Sequence, residues 1–215
     1  METDFQWLRQ VKSVHIIGAS KKSHNPSNRL FLDMKNRGWR LVPINPQSVG
    51  DMIHGLPFRQ WPQDEQSELF VAFLSPESTL EFLKKWMYMH PSRPHIWLQP
   101  GAESDEVIYW LKQVNWPYTS SICWVETTLQ RDLFCENPYG NLPWYIQHRD
   151  EPSHCSIWRF VNHESSIQAI AKESVEWVGD LVDLEFDQHQ IPQYIRTLQK
   201  ADETLEETAL RLSMG

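Results

Sequence analysis

Apolar and polar positions along residues 1–130 repeat in one order: a short apolar run, a turn, then apolar residues at helical spacing. Residues 14–17 (Val14, His15, Ile16, Ile17) are rich in β-branched side chains and predict a buried strand that stops at Gly18. Pro26-Ser27 then opens a helical pattern through Leu30, Phe31 and Met34 that ends at Gly38. Residues 40–44 predict a second strand, closed by Asn45-Pro46, and residues 48–68 read as loop. Residues 69–74 are continuously apolar and predict a third strand buried on both faces. Ser75-Pro76 starts a helix to about Met89, with Leu80, Phe82, Leu83 and Trp86 on its core face. A fourth strand over 95–98 closes in Gln99-Pro100-Gly101, a helix spans about 104–114, and a fifth strand is predicted over 118–125. Ahead of them, residues 1–12 read as a short amphipathic helix.

Strands alternating with helices at these spacings fit right-handed crossovers of a parallel sheet. The fold class expected is α/β, a Rossmann-like doubly wound parallel sheet of about five strands over residues 1–130. The pattern changes over 131–215, where an irregular Trp/Pro-rich segment (134–160) is followed by two acidic helices. One is expected over 163–184, with Ile167, Ile170, Ala171, Val175, Val178 and Leu181 on a stripe and Trp177 on a helix. The other is expected over 191–212, through Ile195, Leu198, Leu205 and Leu212. Such a hairpin must bury its stripes. A homodimer through the C-terminal helices is expected, with docking on the chain's own sheet as the open alternative.

Charge narrows the ligand. The net charge of −8 is unevenly placed: residues 1–47 hold eight Lys/Arg against three Asp/Glu, and the rest hold twelve against twenty-five. A locally cationic start in an acidic chain suits a small anion and disfavours nucleic acid; charges scattered on solvated helix faces are the alternative. No apolar run approaches the ~18 residues of a membrane span, and the first residues carry no signal-peptide apolar core, so no membrane partner is expected. Three widely spaced cysteines, Cys123, Cys135 and Cys155, make no disulfide framework and point to a reduced, cytoplasmic protein. Cys123 reads as a small buried apolar residue. His148, His154, Cys155 and His163 match no zinc spacing, so no metal site is expected.

The loop from Gly18 to Asn25 joins a strand to a helix start. Backbone amides there, with Gly18 allowing close approach, suit a phosphate or pyrophosphate. With one glycine rather than three, an ordinary connection that binds nothing stays open. The strand ends are small, polar or turn-forming, which suits a nucleotide crevice and leaves no candidate catalytic residues. Asn45 stands where a nicotinamide site normally has Asp or Glu; this argues against NAD and allows a phosphorylated ribose.

Taken together, Gly18-Ala19-Ser20, Pro26-Ser27-Asn28-Arg29, Gly38, Val42-Pro43-Ile44-Asn45-Pro46 and Trp97-Leu98-Gln99-Pro100-Gly101 resemble the CoA-binding domain family. This small Rossmann domain is similar to the N-terminal part of the succinyl-CoA synthetase α subunit, and the resemblance covers roughly residues 10–130. It implies coenzyme A or another adenine nucleotide as a small-molecule partner, with phosphates at Gly18, Ala19 and Ser20. Lys21, Lys22 and Arg29 become cationic neighbours and Ser27 part of the helix start. Asn45 and Pro46 flank the adenosine, and Leu74, Ser75, Gln99 and Gly101 line the crevice. Two positions depart from the family: Gln47 replaces a basic residue after Asn-Pro, and Phe73-Leu74-Ser75 replaces a basic end to the third strand. The function expected is a CoA-binding or related protein without catalytic residues, serving as a sensor or accessory module. The alternatives are an interaction protein that keeps the fold and has lost the ligand, or an NAD(P)-linked oxidoreductase.

Overall fold

The run after Lys12 forms β1 (Ser13–Ile17), with all five residues buried, an interior strand of a parallel sheet. A computed structural model of the chain describes residues 4–63, 67–162 and 172–214. They fall into two units: Met1–Ile44 with Gln66–Gly140, and Asn45–Glu65 with Asn141–Gly215.

In chain order the first unit holds β1, α1 (Pro26–Asp33) and β2 (Arg40–Ile44). The chain then passes through β3 (Met52–Ile53) and β4 (Leu56–Pro57), which belong to the second unit, and returns as β5 (Leu69–Ala72). There follow α2 (Pro76–Met89), β6 (His95–Leu98), α3 (Asp105–Gln113), β7 (Tyr118–Thr119) and α4 (Trp124–Gln130). The strand order is β2-β1-β5-β6-β7, every pairing parallel. The expected doubly wound, Rossmann-like α/β fold is therefore present. Its core is the continuously apolar β5 with Leu80, Phe82, Leu83 and Trp86 of α2, each large side chain worth about 1.5–3 kcal/mol on burial. Helix starts follow sequence chemistry: Ser75 accepts the Ser78 N–H, Ser104 accepts the Val107 N–H, and Pro occupies the first turn of α1 and α2.

Two expectations for this unit need correction. The strand expected over 118–125 stops at Thr119, because Ser121 turns the chain with a left-handed φ of +66° and Cys123 then caps α4. Cys123 is half-buried there, not a core residue. The N-terminal helix is one 3₁₀ turn, Gln6–Arg9.

The second unit has the expected C-terminal helices but differs from its sequence reading elsewhere. Within the stretch read as loop, His54 (φ +47°) and Gly55 (φ +84°) make the two-residue turn of the β3–β4 hairpin. In place of an irregular segment, β8 (Trp144–Arg149) and β9 (Ser156–Val161) pair antiparallel. Residues 163–171 of the helix expected over 163–184 lie outside the described residues. Val175–Asp180 is a strand, β10, pairing antiparallel with β8 in the order β10-β8-β9, so Trp177 lies on a strand. Among the described residues of that stretch, Lys172–Ser174 form a 3₁₀ turn and α5 (Leu181–Phe186) is the α-helix. The second expected helix is two, α6 (Gln190–Thr197) and α7 (Leu205–Ser213).

The sheet buries both faces. Tyr145, Trp158 and Trp177 stack in a row, with ring centroids 5.5 and 5.6 Å apart, and pack on Leu184, Ile195 and Ala209 from the helices. Trp144, Ile146, Val161 and Val178 fill the other face, with Met52 packed against them. Gly179 makes room for the row: a Cβ there would meet the Trp177 ring at 2.6 Å.

Candidate functional site

The strand order reverses between β1 and β5, since the chain moves from β1 outward to β2 and then returns to the other side of β1. In an open parallel sheet the crevice at the carboxyl ends of those two strands is where ligands bind. Gly18 ends β1 at this point and Phe73-Leu74 end β5. Gly18 has a left-handed φ of +84°, and a Cβ on it would lie 2.8 Å from Leu74 Cδ2 and 3.2 Å from the Phe73 carbonyl carbon. The residue must be glycine both for its backbone and for the closeness of Leu74.

The loop that follows is held by its own polar groups. Gly18 and Ala19 both donate their amides to the Ile44 carbonyl, at 3.1 and 3.2 Å. The Ser20 hydroxyl accepts from the Lys22 amide (3.2 Å) and from Asn25 Nδ2 (2.9 Å), and the Ser20 carbonyl accepts from Asn28 Nδ2 (2.8 Å). Asn25, at the N-cap position of α1, and Asn28, in its first turn, thus organise the loop. Because the Gly18 and Ala19 amides are used, those two residues supply the shape of the turn. Among the described residues the amides of Ser20 and Ser27 make no backbone bond. Ser27 is buried in the first turn of α1, and the positive end of the helix dipole adds to the attraction for an anion there.

Lys21, Lys22 and Arg29 are exposed around this loop. Much of the remaining positive charge of residues 1–47 is engaged within the first unit. Arg9 pairs with Glu136 at 3.7 Å, Arg37 pairs with Asp132 at 3.1 Å, and buried Arg40 donates to the Ser13 hydroxyl. Ser75 is exposed and its hydroxyl caps α2. Gln99 follows β6 with its amide on the Ala72 carbonyl at 3.1 Å; its side chain is buried, and Nε2 has no partner among the described residues. A buried amide donor without an acceptor at the carboxyl end of the sheet is a group that a ligand oxygen would satisfy. Gly101 is exposed with φ +96° and nothing within 4 Å of an added Cβ.

The first unit therefore brings Gly18, Ala19, Ser20, Ser27 and Leu74 together around one strand crossing. Ser75, Gln99 and Gly101 follow the neighbouring strands at the same sheet edge. Asn45 and Pro46 belong to the second unit and follow Ile44 directly in the chain. Asn45 Oδ1 accepts the Gln47 amide at 3.0 Å, and Pro46 and Gln47 are exposed. Among the described residues no group of three or more His, Cys, Asp or Glu side chains is placed to hold a metal ion, and no helix is long and apolar enough to cross a membrane. The carboxyl edge of the sheet thus carries a left-handed glycine at the reversal of strand order and, beyond β6, a buried amide donor with no partner among the described residues.

A search of the curated proteins finds no match. Among solved structures, a conserved hypothetical protein from Pyrococcus furiosus matches at 25% identity with a TM-score of 0.50, over 54% of this chain and 99% of that one. A protein from Thermus thermophilus matches at 24% identity and a TM-score of 0.52, over 58% of this chain and 92% of the other, a likeness of fold. The family model described as CoA binding domain matches residues 12–126, which take in every element from β1 to the start of α4. By that match, over more than half its length, the chain belongs to the CoA-binding domain family.

Proposed function

We propose that this chain binds coenzyme A, or an adenine nucleotide carrying the same pyrophosphate, as a module without catalytic residues of its own. The observation that carries the reading is Gly18: a left-handed glycine at the reversal of strand order, covered by Leu74 and followed by a loop that its own side chains hold open. The Ser20 and Ser27 amides face the phosphates, Gly18 and Ala19 give the turn its shape, and Lys21, Lys22 and Arg29 supply charge. Asn45 and Pro46 flank the adenosine, and Leu74, Ser75, Gln99 and Gly101 edge the crevice. Bound CoA would bring a thiol able to carry acyl groups. The strand ends hold no acid–base pair to act on one, so a sensing or accessory role fits better than catalysis. Three free thiols fit a reduced, cytoplasmic setting.

Native mass spectrometry and calorimetry test the reading together. The purified protein is expected to carry or take up CoA in a one-to-one complex, and absence of binding at millimolar CoA refutes it. Exposed Tyr194, Leu210 and Met214 on the C-terminal helices support the homodimer as part of this proposal. Light scattering that finds only monomer at micromolar concentration removes that part.

A further inference from the structure

The face of the β10-β8-β9 sheet that carries the stacked aromatic row also carries a set of polar groups. Gln147 stands opposite Trp158 across the β8–β9 pair, and Ser156 lies two residues before Trp158, so the three share one face. Glu176 joins them through the slip in register between Val175 and Trp177. Two residues of β10 there stand against one of β8, a bulge that re-aims a side chain. The Glu176 carboxylate is held in place on that face: Oε2 accepts the Ser156 hydroxyl at 2.6 Å and Oε1 accepts Arg149 Nη2 at 3.0 Å.

Beside these groups lies a cavity of about 790 Å³, lined from the sheet and from the α6 and α7 region, all of it by described residues of the second unit. That volume falls within the ~300–1,000 Å³ of small-molecule sites. Trp158, Ile191, Ile195, Leu198 and Leu212 supply its apolar lining. The Trp158 ring is fixed by its indole N–H on the Ala209 carbonyl at 2.9 Å and by stacking on Tyr145 and Trp177, so this wall is preformed.

The charge of the cavity has one sign. Among the described residues that line it, Glu176 is the one carboxylate, and there is no Lys or Arg. The hydrogen bond from Ser156, and after it Arg149, hold the Glu176 carboxyl below the usual carboxylate range, so it is ionised at neutral pH. A carboxylate has about four acceptor positions. Ser156, Arg149 and Gln147 take three of them, and the exposed Arg149 is screened by water. An anion finds little here, because the start of α6 spends its donors internally. His189 Nδ1 accepts the Ile191 amide at 3.3 Å, the Gln193 amide donates to the His189 carbonyl at 3.2 Å, and Pro192 has no N–H. Residues 150–215 hold thirteen Asp/Glu against five Lys/Arg, a field that further favours a cation.

We propose that this cavity is a ligand site for a small molecule with an apolar body and a protonated amine. The ammonium donates to Glu176, and the body lies against Trp158, Ile195, Leu198 and Leu212. The proposal does not rest on the CoA reading.

The test uses the full chain and two probes with the same apolar body and opposite charges, 4-phenylbutylamine and 4-phenylbutyrate. Calorimetry is expected to show the amine binding at least about tenfold more tightly than the acid, the worth of one charge-assisted hydrogen bond. Glu176→Gln, which keeps the shape and removes the charge, should weaken the amine at least about tenfold, and Leu198→Trp, which fills the cavity, should abolish its binding. In amide NMR spectra of the wild-type chain the amine should shift signals of residues 147, 156–158, 176 and 190–198. Equal affinity for amine and acid, no saturation by the amine at millimolar concentration, or unchanged amine affinity in Glu176→Gln overturns the proposal. Should the variants fail to fold, the wild-type spectra decide: amine shifts confined to other residues, or the same shifts with the acid, overturn it.

Discussion

Gly18→Ala separates backbone strain from close approach, because the chain contains its own control. Gly18 and Gly140 have nearly the same left-handed φ, +84° and +78°. Placing an L residue there costs about 1–2 kcal/mol in either position. At Gly140 nothing lies within 4 Å of the new Cβ, so strain is the whole effect. At Gly18 the Cβ comes to 2.8 Å from Leu74 Cδ2, which can swing aside, and to 3.2 Å from the Phe73 carbonyl carbon, which cannot. Displacing Leu74 and crowding β5 adds about 1 kcal/mol or more, the low end of an overpacking penalty. Urea denaturation should therefore show Gly18→Ala less stable than wild type by about 2–3 kcal/mol and Gly140→Ala by about 1–2 kcal/mol. In calorimetry the Gly18 variant should lose CoA affinity by at least about tenfold, since Leu74 moves into the crevice, while the Gly140 variant binds as wild type. If the two variants lose the same stability and both bind normally, close approach is not what selects glycine at position 18, and the crevice is not the ligand site.

Lys21→Ala/Lys22→Ala should bind CoA more weakly than wild type and with a flatter dependence on salt, because exposed charges act over only about 8–10 Å at physiological ionic strength. An unchanged slope in a titration series from low to high salt places the anion elsewhere. His95 is held neutral by burial, its pKa pushed down from 6.5 to about 4, with Nε2 and the Thr119 hydroxyl 2.9 Å apart. The unfolded chain takes up that proton first, so stability is fully present above pH 6.5 and is lost as pH falls toward 4, by about 3 kcal/mol at most. His95→Gln should flatten the fall in a pH series of urea melts, and a parallel curve for the variant would assign the loss to other groups.

The first unit was legible because its strands announce themselves. Residues 69–72 are buried on both faces and so contiguous in apolar residues, and α2 begins where Ser75-Pro76 says it must and ends at Met89. The doubly wound parallel sheet could be expected from the alternation, but the contact of Leu74 with Gly18 could not, since it joins residues far apart through a half-buried side chain. Nor does the sequence show that the Gly18 and Ala19 amides are spent on Ile44. Much of the cationic excess of residues 1–47 serves the first unit's own structure. Arg9, Arg37 and Arg40 are taken up by Glu136, Asp132 and Ser13 within the same unit.

The second unit misled for physical reasons. Val175, Val178 and Leu181 lie at helical spacing, yet Val175 to Asp180 is a strand whose register slips between Val175 and Trp177. The slip inserts Glu176 and shifts the two-residue alternation, so a helix period is imitated where no helix forms. Trp144, Tyr145 and Ile146 hide in the same way, because a sheet buried on both faces leaves no alternation to read. The better signals were the capping boxes, Asp180 with Asp183 and Thr204 with Glu207, which mark helix starts inside stretches read as continuous helix. One of those boxes does more than start a helix. Asp180 and Asp183 turn their remaining oxygens to Arg59, so the N-terminus of α5 also fixes the segment that follows β2. A cap that binds an arginine more than 120 residues upstream cannot be inferred from local pattern. It ties the start of α5 to the segment that follows β2, through Arg59 and the bond its carbonyl accepts from the Asn45 amide.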